Sequence, residues 1–123
     1  MISVVIGIGS NCGDRNQSVS RSIAWLETLL MQTKCSRIYE TPCALKIGKP
    51  YMNAVVKGYF NGDAFQLNDL LKEKEHERGR NAECREKGDV PVDMDIVICD
   101  NQIYKPWDFR QKFFRIGYEE IME

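Results

Sequence analysis

The hydrophobic pattern along this 123-residue chain changes period several times, and each change marks an element. Residues 3 to 8, SVVIGI, form a short apolar run ended by Gly9 and the polar turn SNCGD, which predicts a buried strand entering a loop. From about 15 to 33, Val19, Ile23, Leu26 and Leu30 recur at steps of four, three and four. That is the spacing of one helix face, with Asp14 or Asn16 as its N-cap. Residues 35 to 40, CSRIYE, predict a second strand stopped by Thr41 and Pro42. After a loop holding Gly48 and Pro50, residues 51 to 60, YMNAVVKGYF, predict a third. Asp63 with Gln66 has the capping-box form, so a helix over about 64–77 follows, with Leu67, Leu70 and Leu71 as its apolar stripe. The dozen residues after Gly79 show no period and read as a loop over 79–91. VPVDMDIVICD, at 90–100, then gives the last strand.

The order β-α-β-β-α-β predicts an α+β fold of the ferredoxin-like type. It has a four-stranded antiparallel sheet with two helices on one face, as a single domain over residues 1–123. Side chains alternate across such a sheet, which sorts them. Val92, Met94, Ile96 and Ile98 share the face under the helices, and so do Met52, Ala54 and Val56. Asp93, Asp95, Tyr51 and Asn53 are thereby gathered on the open face.

Composition narrows the chemistry. Charged residues are 28% and hydrophobic ones 43%, as in an ordinary globular domain, and the net charge is −1. A chain with that balance has no general attraction for nucleic acid or acidic membranes, so an anionic ligand must be held by local placement of cations. The five cysteines include no CxxC pair, and His76 has no Cys or His at a metal-ligand spacing. Reduced thiols in a cytoplasmic protein follow. The N-terminal segment is apolar too briefly for a membrane span or signal peptide.

Two carboxylates at i and i+2 of one strand stand roughly 6–7 Å apart at Cα and repel when bare. Alone, so short a pattern reads more readily as two solvated polar residues. A hard divalent cation removes the repulsion, and Mg²⁺ takes a few carboxylates together with substrate phosphate oxygens. The neighbouring loop adds Arg80, Arg85 and Lys87 between Gly79 and Gly88, a basic segment suited to closing over a nucleotide.

GSN after the first strand, YETP, PYMNAV, the E…GR helix end and VDMDIVI occur in the order found in the 6-hydroxymethyl-7,8-dihydropterin pyrophosphokinases of folate biosynthesis. The chain resembles that family over most of residues 3 to 98. The resemblance implies transfer of pyrophosphate from ATP to the hydroxymethyl group of the reduced pterin, with release of AMP. Asp93 and Asp95 would hold two Mg²⁺ ions, with Arg80 as a third catalytic residue. Lys72, Glu75, Arg80, Ile96 and Arg110 correspond to ATP-binding positions. Thr41, Pro42, Ala44, Tyr51, Asn53 and Phe113 correspond to pterin-binding ones. ATP and the pterin are the implied partners, with no nucleic acid and no membrane, and oligomeric state is left open. Four positions depart from the family pattern: Val90 and Ala82 stand for loop arginines, Lys87 for a loop tryptophan and Trp107 for a histidine. The resemblance also implies a C-terminal part shortened relative to the family. An alternative at this stage is a relative that binds a nucleotide or pterin-like ligand with little or no pyrophosphokinase activity.

Overall fold

A computed structural model describes residues 1–45 and 48–123. Its strands are β1 (Ile2–Ser10), β2 (Met31–Cys35), β3 (Tyr39–Thr41), β4 (Tyr51–Phe60), β5 (Asp93–Cys99) and β6 (Gln102–Ile103). Its helices are α1 (Arg15–Leu29), α2 (Ala64–Glu77), α3 (Ala82–Lys87), α4 (Pro106–Arg110) and α5 (Lys112–Ile121). The fold is α+β. The sheet runs β2-β4-β1-β5-β6 with β3 also paired to β4, and every pairing is antiparallel. Among the described residues, six strands thus replace the four expected.

The extra strands have local causes. The predicted strand over 35–40 is divided, because Cys35 pairs Val56 while Tyr39 pairs Asn53, leaving one residue too many on that side. Ser36 takes up the slack: its N–H donates to the Val55 carbonyl and its Oγ accepts from the Val55 N–H. The β5–β6 hairpin turns on Asp100 and Asn101, both at positive φ (49° and 65°), the conformation a two-residue hairpin loop requires.

Both predicted helix starts carry their caps. Asp14 Oδ1 accepts from the Gln17 N–H, and Asp63 and Gln66 form the reciprocal capping box. Helix α1 stops at Leu29 rather than near 33. Leu30 continues the apolar series because it remains 5% exposed in the same core, though from an extended residue.

Segment 79–91 is not a plain loop, since α3 occupies its middle. Asn81 caps it through the Cys84 N–H, Glu83 and Lys87 pair one turn apart, and Gly88 ends it in the left-handed conformation (φ 71°).

One core lies between the sheet and helices α1 and α2, and contains Leu26, Leu67, Leu71, Val92, Met94 and Ile96. The opposite face, expected to be open, is covered by α5. Phe114 and Ile121 there pack with Val5, Val55, Val97 and Ile98. Ile98 changes face because β5 carries a bulge. Val5 pairs Ile98 and Ile6 pairs Ile96, so Val97 is the extra residue and the alternation slips by one.

Helix α5 sits close because of Gly117. A Cβ there would lie 2.6 Å from Val55 Cγ2 and 2.9 Å from both Ser36 Oγ and the Tyr39 hydroxyl. The Tyr39 hydroxyl donates to the Phe113 carbonyl (2.6 Å) and accepts from the Gly117 N–H (3.0 Å), pinning the helix to β3. No helix among the described residues is long and apolar enough to cross a membrane.

Candidate active site

Two cavities lie near the start of β5. The first, of about 220 Å³, has Gly7 and Gly9 of β1 on its floor. Missing side chains leave room for rings there: a Cβ on Gly7 would meet Phe114 at 3.4 Å, and one on Gly9 would meet Tyr51 at 3.3 Å. Tyr51 and Asn53 of β4, Asp93 and Asp95 of β5, and Phe113 of α5 complete its walls with Trp107 and residues Thr41 to Leu45. The predicted gathering of Asp93, Asp95, Tyr51 and Asn53 is therefore met, in a covered cavity rather than on an open face. Thr41, Pro42, Ala44 and Phe113 line the same space.

Asn53 is 2% exposed, and its amide donates to Thr41 Oγ1 (2.8 Å) and the Tyr39 carbonyl (3.2 Å). One buried side chain thus ties β3 to β4. Trp107 lies 6.0 Å from Phe113, ring centre to ring centre, in a tilted arrangement.

The second cavity, of about 620 Å³, takes its lining from α2, the α2–α3 connection, α3 and the following turn: Lys72, Glu75, His76, Arg80, Arg85 and Val90 among others. Asn11 anchors its rim. Its N–H donates to the Val90 carbonyl, its amide to the Gly88 carbonyl, and its Oδ1 accepts from the Val90 N–H. Of the departures from the family pattern, Ala82 and Val90 line this cavity, whereas Lys87 pairs with Glu83 on the exposed side of α3.

An ionic network joins the cavities. Arg80 donates to Asp93 (2.7 Å) and Glu75 (2.9 Å), while Lys72 donates to Glu75 (2.9 Å) and Asp95 (3.2 Å). Lys105 donates to Asp95 at 2.8 Å. Glu75, 4% exposed, also accepts from the Met94 N–H, so α2 is fixed to β5 through the carboxylate at the centre of the network.

Burial and the neighbouring Asp95 carboxylate raise the Asp93 carboxyl well above the usual range, against the pull of Arg80. Burial acts the same way on Asp95, but its hydrogen bond with Asp93 and the charges of Lys72 and Lys105 outweigh it and hold Asp95 low. The pair is therefore poised to keep one proton between two carboxyls unless positive charge is added.

The donor set suits a hard divalent cation that shares its coordination with a ligand. No group of three or more His, Cys, Asp or Glu side chains forms a metal cage among the described residues. The protein would offer Asp93 and Asp95, and phosphate or water oxygens the remaining positions, the habit of Mg²⁺ at phosphates.

Some expected residues lie elsewhere. Ile96 is buried in the α1/α2 core, and Arg110 is exposed at the end of α4; neither lines either cavity. Gly7, Gly9 and Lys105 were missed. The glycines carried a signal, two at i and i+2 on one strand face, but GIGSN reads as a turn when the strand is ended at Gly9.

A family model described as 7,8-dihydro-6-hydroxymethylpterin-pyrophosphokinase matches residues 5–123. The chain belongs to this family. Its 2-amino-4-hydroxy-6-hydroxymethyldihydropteridine pyrophosphokinase relative in Bacillus subtilis is 32% identical over 100 residues, 79% of this chain and 59% of that protein. The relative of the same description in Porphyromonas gingivalis is 31% identical over 104 residues, covering 80% and 69%. A folate synthesis bifunctional protein of Arabidopsis thaliana is 30% identical over 97 residues, 77% of this chain and 20% of that protein. The chain thus spans about three-fifths of the Bacillus relative it matches. The family match runs to residue 123 and includes α4 and α5, beyond the segment 3 to 98 in which the motifs are clear.

Proposed function

We propose that this protein transfers pyrophosphate from ATP to the hydroxymethyl oxygen of 6-hydroxymethyl-7,8-dihydropterin, releasing AMP, as a cytoplasmic enzyme of folate biosynthesis. The observation that carries the reading is the position of Asp93 and Asp95. They line the aromatic cavity and are ion-paired to residues lining the basic one. A flat heterocycle and a polyphosphate would meet at these carboxylates. In this reading one domain with a ferredoxin-like core, elaborated by β3, β6, α4 and α5, carries both subsites.

Each subsite has a physical role. Tyr51 and Phe113 supply aromatic faces for the ring, while Asn53 and the Thr41–Leu45 backbone offer polar groups for its donor-acceptor edge. Arg80, Arg85 and Lys72 face the space for the phosphates. Asp93 and Asp95 would hold Mg²⁺, two ions by family resemblance, which when bound neutralises phosphate charge and aligns the attacking and leaving oxygens. With little covalent work left to the protein, catalysis rests on positioning.

The test is direct. Protein, ATP, Mg²⁺ and the reduced hydroxymethylpterin are incubated together and AMP is measured by chromatography. AMP formed only when the pterin is present is the expected result. Binding of both ligands without any AMP would sink the proposal.

A further inference from the structure

Three basic side chains press on the aspartate pair, and one differs from the other two. Lys72 and Arg80 each have Glu75 as a second carboxylate, at 2.9 Å in both cases. Lys105 has Asp95 alone: its Nζ lies 2.8 Å from Asp95 Oδ1, and no other acceptor for that ammonium occurs among the described residues. Its backbone is anchored. The N–H groups of Tyr104 and Lys105 both donate to the carbonyl of Val97, the bulge residue (2.8 and 3.3 Å). The side chain, by contrast, is 44% exposed. Lys105 is therefore an exposed cation on a fixed root, paired with an aspartate that lines the smaller cavity.

We propose that Lys105 is a phosphate-binding residue of this site. It neutralises Asp95 in the substrate-free protein and exchanges that carboxylate for a phosphate oxygen when a divalent cation takes Asp95. The inference rests on the functional reading above for the identity of the ligand. A divalent cation held by Asp95 would bring phosphate oxygens with it and add positive charge beside the carboxylate. Like charges then drive the ammonium groups away from Asp95. Lys72 and Arg80 can retreat onto Glu75. Lys105 makes no second ion pair among the described residues, since Asp108 acts on it only at longer range, and a phosphate oxygen offers its ammonium the direct partner it then lacks. The exchange also supplies positive charge from the α4 side. In the larger cavity, Ala82 and Val90 provide none where the family pattern has arginines.

Such an exchange has a signature that a structural role lacks, because two affinities move in opposite directions. Mn²⁺ alone, followed by electron paramagnetic resonance, is expected to bind Lys105→Met about five- to tenfold more tightly than wild type, since a competing ammonium is gone. The Mg²⁺ complex of α,β-methylene-ATP, followed by calorimetry, is expected to bind the same variant about tenfold more weakly. Lys105→Arg should return nucleotide affinity to within about threefold of wild type, because the charge is restored. Unchanged nucleotide affinity in Lys105→Met would overturn the proposal, as would a fall in both affinities together. Wild-type protein that binds the Mg²⁺–nucleotide but makes no AMP removes the pyrophosphokinase reading and leaves the role of Lys105 standing. Wild-type protein that does not bind the nucleotide overturns both.

Discussion

Around the 220 Å³ cavity most lining residues come from strands β1, β3, β4 and β5 and from α5, whereas the 620 Å³ cavity is lined by α2, the α2–α3 connection, α3 and the turn after it. The first is walled by backbone pairing and aromatic rings. Its polar residue Asn53 is spent largely on holding its own wall together. The second is walled by charged side chains with alternative partners, as with Arg80 between Glu75 and Asp93. The difference follows from what each would hold. A flat ring is recognised by surfaces already in place, whose ordering cost was met on folding. A polyphosphate arriving with cations needs charges that can change partners.

Substitutions can break this contrast, and the largest effect belongs to the shared wall. Asp95→Ala should lower turnover by about 10³-fold or more, with the melting temperature held within a few degrees. Loss of the folded state on circular dichroism would instead make Asp95 structural.

The frame of the ring cavity comes next. Gly117→Ala puts a methyl group against Val55, Ser36 and Tyr39, and should cost about 2–3 kcal/mol in denaturant unfolding. An unchanged midpoint would mean that α5 is not closely seated.

Smaller effects should stay within one cavity. Phe113→Ala should weaken pterin binding about tenfold and leave nucleotide affinity alone, while Arg85→Ala should weaken nucleotide binding about three- to fivefold and spare the pterin. Equal effects of either variant on both ligands, in fluorescence titrations, would erase the distinction.

The smallest effect is a pH dependence. In the folded protein the Asp93 carboxyl is pushed up to about 7, against an ordinary 3.8. Below the lower value both states are protonated and the group contributes no difference. Between the two values the unfolded chain loses its proton first, so the contribution of Asp93 to stability falls as pH rises, levelling off above the higher value. Without Mg²⁺, wild-type stability relative to Asp93→Asn should therefore decline by an amount on the order of 1 kcal/mol from pH 4.5 to 8, after discounting for solvent screening of a partly exposed side chain. A difference that is flat or rises over that range contradicts the assignment.

The sequence made one half of the molecule legible. Caps and apolar steps located α1 and α2, and strict alternation placed Asp93, Asp95, Tyr51 and Asn53 together. Those signals are local, set by residues within a turn or a strand of one another. The other half depended on pairings made at a distance. The split between β2 and β3 arises from the register against β4, and the reversal of Ile98 arises from the register against β1. Helix α5 did carry a period, Phe114, Gly117 and Ile121, but it lies beyond residues 3 to 98, where the motifs that carry the resemblance end. Lys105 gave no warning, because a lysine before a proline has no pattern until a hairpin sets it beside Asp95.

The hydroxyl of Tyr39 links residues far apart along the chain, reaching the Phe113 carbonyl and the Gly117 amide. During synthesis the segment up to β6 can pair into a sheet, but the ring cavity acquires Phe113 only when α5 follows and docks on that hydroxyl. Ligand affinity and amide protection of α5 should therefore appear together, late in folding. A chaperone or protease encountering the nascent protein would meet the apolar face of Val5, Val55 and Val97 still bare.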